Sequence, residues 1–187
     1  MIVALTGMDD EAASDLAQEL ALLRASAGGK VLLVSPAQTA QACGLLGPRS
    51  FYDDVVIGAG SGTSALTLAA AGVIVVLIRP AELEAHGHDA LLERIHHARA
   101  VNPHMQVLVS VAQAKQALSP REVGCVLVFV AQISAARLAD TLVLDDSGAY
   151  HTRHSELELD AYKTGDCLCA PEVRHLYRQV FQAATPF

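Results

Sequence analysis

The feature that most limits what this chain can fold into is a recurrence of short apolar runs, most of them β-branched, each separated from the next by a longer spacer. The runs are Ile2 to Leu5, Val31 to Val34, Val55 to Ile57, Val73 to Ile78, Val107 to Val109 and Thr141 to Leu144. They are apolar at consecutive positions rather than at alternate ones, so both faces of each strand must be covered, as in a parallel sheet between two helix layers. Parallel strands need crossovers of a dozen residues or more, and helical spacers supply them. The first, Asp10 to Ala25, sets Leu16, Leu20 and Leu23 on one stripe and stops at Gly28 and Gly29. Further helices are expected over Ser64 to Ala71, Glu82 to Ala100, Pro120 to Leu138, Ser155 to Lys163 and Pro171 to Ala184. The segment after Pro120 contains VLVFV and reads equally as a strand. Its start signature, Ser119, Pro120 and Glu122, and the spacing of Val123, Val126, Leu127, Val130, Ile133 and Arg137 favour a helix. The expectation is a doubly wound α/β fold, a mostly parallel sheet with helices on both faces, formed by residues 1–187 as one domain.

Composition agrees with that class. Hydrophobic residues make up 52% of the chain but aromatics only 4%, a balance suited to helices on parallel strands rather than to a β-sandwich. The formal net charge is −7 and no block of Lys and Arg interrupts it, which argues against nucleic acid as a partner. No apolar run reaches the ~18 residues of a membrane span, and the start lacks the features of a signal peptide, so a cytoplasmic location is expected. Cys43, Cys125, Cys167 and Cys169 read as reduced thiols.

The chemistry turns on the segment after the first strand. An apolar run, a turn and a helix are the layout of a phosphate-binding loop, yet the turn holds Met8, Asp9, Asp10 and Glu11 where such a loop needs glycines and a lysine. Acidic side chains at a helix start cap its free N–H groups and satisfy its dipole. They also repel a triphosphate, by about 1 to 4 kcal/mol for each pair of charges about 4 Å apart.

The succession of MIVAL, turn and helix, then GGKVLLVSPAQ, FYDDVVIGAGSG, AAAGVIVVLIRPAELEAHG and ARAVNPHMQVLVSVAQ, resembles the ParA/MinD group of P-loop ATPases over roughly the first 115 residues. The resemblance implies a P-loop fold with a degenerate Walker A loop. Met8 stands at the family's signature lysine, Asp9 and Asp10 at two glycines, Ala12 at the third glycine and Ala13 at the phosphate-gripping lysine. Ser14 alone is retained, at the magnesium-holding hydroxyl. Ser35 and Ala37 replace aspartates after the second strand, and Gly58 replaces the metal-site aspartate after the third. Phosphoryl transfer depends on those positioning and charged groups. The resemblance therefore implies a pseudo-ATPase with no catalytic residue, cofactor or metal. It would act as a scaffold or regulatory partner in a bacterial positioning, partition, secretion or exopolysaccharide system. Its partner would be a protein, either an authentic ATPase of the same family or a membrane-associated complex, and any homodimer would form without nucleotide. Restoring Met8→Lys, Asp9→Gly, Asp10→Gly, Ala12→Gly, Ala13→Lys and Gly58→Asp is expected to leave the fold intact, because these positions read as strand ends and turns.

Other motifs compete. Gly58 and Gly60 meet the first two positions of G-x-G-x-x-G, Thr63 stands at the third, and Arg79 after the next strand would suit a 2′-phosphate, so the alternative is an enzyme binding NADP or FAD. Against it, the turn follows the third strand rather than the first. Ser61 lacks the flanking glycines of a nucleophile elbow, since Ala59 and Thr63 stand there. His86 and His88, His96 and His97, His151 and His154, with Cys167 and Cys169, are scattered metal donors without CxxC or HExxH spacing; the histidines are expected to be solvated and the cysteines to be small buried hydrophobes. Asp145 and Asp146 sit at a strand end where a cation could bind, but with Ser147 and Gly148 a turn is the simpler account. Glu156, Glu158 and Asp160 read as a solvated helix face.

Overall fold

The computed structural model describes residues 1–35, 51–84, 87–113, 117–139, 142–143 and 171–181. In chain order its elements are β1 (Ile2–Gly7), α1 (Asp10–Ser26), β2 (Val31–Val34), β3 (Asp54–Gly58), α2 (Ala65–Ala69), β4 (Val73–Ile78), α3 (Pro80–Glu84), α4 (Asp89–Val101), β5 (Gln106–Gln113), α5 (Pro120–Gln132), β6 (Arg137–Leu138), β7 (Leu142–Val143) and α6 (Pro171–Phe181). The strands form a parallel sheet in the order β2-β3-β1-β4-β5-β6, and β7 pairs in parallel with the far end of β5.

The unbroken apolar runs explain this architecture. In β1 and β4, Val3, Leu5, Val73, Val75 and Leu77 face one way and pack with Leu16 and Leu20 of α1 and Leu176 of α6. Ala4, Ile74, Val76 and Ile78 face the other way and pack with Leu68 of α2, Ile95 of α4 and Phe129 of α5. Each fully buried Val, Leu or Ile contributes about 1.5 to 3 kcal/mol, so the sheet is held by burial on both faces. The fold is a doubly wound α/β arrangement.

The winding also fixes where a site can form. From β1 the chain passes through α1 on one face to reach the β2 side. The later crossovers, through α2, α4 and α5, run on the opposite face towards β6. Connections diverging from neighbouring strands leave a crevice at their carboxyl ends, here where β1 lies between β3 and β4. Leu5 pairs with Gly58 and Gly7 with Leu77, so the turns after β1, β3 and β4 are side by side.

At the opposite end of the strands, buried Asp54 accepts from Arg24 Nε at 2.5 Å and from the Met1 amino group at 3.1 Å. Burial pushes its carboxyl pKa up, but these hydrogen bonds and charges outweigh burial and hold it below the ordinary value of 3.8.

Some expected boundaries move. The VLVFV segment is helical, capped by a reciprocal Ser119–Glu122 box, but α5 ends at Gln132 rather than Leu138. Ile133 is buried in extended conformation, Ala135 turns the chain at φ 55°, and Arg137 and Leu138 form β6. The helix expected over Glu82 to Ala100 is two helices, α3 and α4, with Gly87 between them. The expected second helix is a single short turn, α2, capped by Ser64. The helix expected over Ser155 to Lys163 lies outside the described residues.

Candidate functional site at the carboxyl ends of the strands

Gly7 ends β1 because nothing larger fits: a Cβ there would lie 2.6 Å from the Leu77 carbonyl oxygen. Asp9, two residues on, is the N-cap of α1 in extended conformation. Its Oδ1 accepts from the backbone N–H of Glu11 at 3.0 Å and of Ala12 at 3.1 Å. Its Oδ2 lies 2.6 Å from Nη1 of Arg79, which follows β4 and also reaches Glu82 at 3.4 Å. One carboxylate thus takes two amides at the helix start and spans the crevice from β1 to β4. Those amides are donors of the kind a phosphate would use, and a negative charge already occupies the positive end of the dipole.

The turn after β3 is tied into the same edge. Ala59 N–H donates to the Leu5 carbonyl at 2.7 Å, and Thr63 N–H to the Gly60 carbonyl at 2.9 Å. Ser61 Oγ donates to Asp10 Oδ2 at 2.8 Å. Arg94 of α4 donates through Nη1 to the carbonyls of Gly60 at 2.9 Å and Ser61 at 2.7 Å. A turn that binds anions points N–H groups inward, whereas this one offers carbonyl oxygens to a guanidinium, the opposite polarity. Burial holds the pKa of Arg94 below its ordinary value, against the smaller opposing pull of the Asp10 charge. Among the described residues, Asp10 Oδ1, Arg94 Nε and His88 Nδ1 are buried without a hydrogen-bond partner. His88 packs edge-on against Phe129, with ring centroids 5.6 Å apart.

The structure therefore brings Asp9, Asp10, Gly60, Ser61 and Arg79 to one edge, with half-buried Met8 packed beside them on the α4 face. Two expected loop residues belong elsewhere. Ala12 and Ala13 are 4% and 1% exposed, and Ala12 packs in the core beneath α1, so the idea that all six restoration sites lie at turns is corrected. Ser14 is half-buried one turn into α1, Gly58 is the last residue of β3, and Thr63 is buried. Ser35 is half-buried after β2, and Ala37 lies outside the described residues.

Arg94 is the participant that motif reading missed. The available signal was its place on the apolar stripe of α4, between Leu91 and Ala98, where an arginine needs a reason to be.

Among the described residues, no three His, Cys, Asp or Glu converge as metal ligands. His96 and His97 are exposed, and His96 Nε2 meets the Gln132 carbonyl at 3.0 Å. His86, His151, His154, Cys43, Cys167, Cys169, Asp145, Asp146, Glu156, Glu158 and Asp160 lie outside the described residues. Among the described residues, no helix is long and apolar enough to cross a membrane. No protein-family model matches the chain, and no curated protein matches its sequence at a significant level.

Proposed function

We propose that this chain is a nucleotide-independent, non-hydrolytic relative of the ParA/MinD ATPases, acting in the cytoplasm as a scaffold or regulatory partner through protein contacts. The observation that carries this reading is the Asp9 carboxylate. It accepts both Glu11 and Ala12 amides and pairs with Arg79, so the helix-start donors and the cation nearest them are engaged with one carboxylate. The dinucleotide reading fares worse on three counts. Arg79 is held by Asp9 and Glu82, and the Gly60 and Ser61 carbonyls face Arg94. The strand order also departs from the 3-2-1-4-5-6 order of dinucleotide-binding folds, because β3 lies between β2 and β1.

In this reading the protein partner is an authentic ATPase of the same family or a membrane-associated complex, in a bacterial positioning, partition, secretion or exopolysaccharide system. Any homodimer is independent of nucleotide. Light scattering with and without magnesium ATP tests this: an unchanged mass is expected, and an ATP-driven shift from monomer to dimer contradicts it.

A further inference from the structure

A groove of about 220 Å³ opens at the opposite end of the sheet, where β5 begins. It is bounded by the end of α4, the first residues of β5 and the turn into β6; among the described residues, Arg99, His104 and Arg137 line it and no Asp or Glu does. In a chain of net charge −7, that is a local reversal of sign.

Local geometry builds this arrangement. Arg99 donates to the Ser134 carbonyl, which fixes its guanidinium against the turn. Ala135, at φ 55°, reverses the chain so that Arg137 enters β6 beside the groove. The Gln106 N–H donates to Gly72, on the β4 side, so the next peptide group, at Val107, turns to the other edge. There β6 begins only opposite Leu108. Among the described residues, Arg99 and Arg137 have no carboxylate within ion-pair distance.

We propose that this groove binds the phosphoryl group of a small ligand. Two guanidinium groups supply forked donors that match a tetrahedral oxyanion, and His104 adds a third polar side chain. The volume is below the ~300 to 1,000 Å³ of sites for drug-sized ligands, so it suits a phosphoryl group with a short tail rather than a nucleotide. The shared chemistry is the phosphoryl dianion, whether free phosphate or a phosphate monoester.

Amide NMR of the full chain, titrated with inorganic phosphate, with glycerol phosphate, and with sodium chloride at matched ionic strength, tests the proposal. Saturable shifts at Gln106, Val107 and Arg137 with the phosphates but not with chloride are expected. Equal saturation by both phosphates identifies free phosphate as sufficient, and tighter binding of the ester identifies a monoester. Arg137→Ala should weaken binding at least tenfold, and Arg137→Lys less; Arg137 is exposed, so neither change should disturb folding. Shifts no different from chloride, or unchanged affinity in Arg137→Ala, overturn the proposal. Binding at this end is independent of the engaged edge near Asp9: magnesium ATP perturbing Asp9 and Arg79 would count against the proposed function alone.

Discussion

Asp9 does two jobs, and substitutions separate them. Asn at an N-cap is about as good as Asp, so Asp9→Asn should keep the cap and lose only the ion pair with Arg79, at about 0.2 to 1 kcal/mol. Asp9→Ala loses both and should cost about 1 to 2.5 kcal/mol. Urea denaturation of the two variants checks the difference, and equal losses would mean that the cap contributes nothing. Asp54 makes a prediction about pH. Its pKa is lower folded than unfolded, so its contribution is present above the ordinary value of 3.8 and is lost as pH falls through the folded value. Asp54→Asn should cost roughly 1 to 3 kcal/mol at pH 7, less than for a fully buried pair because Arg24 remains partly solvated. The gap from wild type should narrow in acid, as read from denaturation midpoints at about pH 7 and pH 3. At this scale the capping role of Asp9 was legible, because an aspartate before a helical stripe is a start signal. Its pairing with Arg79 was not, since that depends on which strands are neighbours.

For single elements, starts were more legible than ends. The box of Ser119 and Glu122 marks the beginning of α5 in sequence and in structure alike. Its end carries no glycine or proline, and apolar residues continue through Ile133 and Leu138, so spacing alone extends the helix too far. What ends it is the reversal at Ala135, an alanine in left-handed conformation. Ala135→Gly should remove that strain at the cost of extra freedom in the unfolded chain, for a net gain of about 0.5 to 1 kcal/mol. A higher urea midpoint checks it; a lower one would mean that the alanine side chain makes a contact that outweighs its strain.

For the molecule as a whole, the parallel doubly wound fold followed from unbroken apolar runs, but the strand order did not, and the order creates the site. It sets the turn after β3 against the turn after β1, joining Ser61 to Asp10, and sets Arg79 within reach of Asp9. The same packing buries Ala13, so installing the glycines and lysines of a nucleotide loop here is not a surface change. Ala13→Lys should destabilise the chain by roughly 2 to 5 kcal/mol, because a long cationic side chain must enter a filled interior. The sixfold restored variant should melt well below wild type by circular dichroism, and an unchanged melting temperature would contradict the packing described here.

In the proposed function the edge where Asp9 pairs with Arg79, Ser61 with Asp10, and Arg94 with the Gly60 and Ser61 carbonyls takes no nucleotide. Isothermal calorimetry of the purified chain with magnesium ATP tests it most directly, in the Arg137→Ala background so that the basic groove does not contribute. No saturable heat is expected at micromolar to low-millimolar ATP. Micromolar binding, with affinity falling when Asp10 or Arg94 is replaced by alanine, would contradict it.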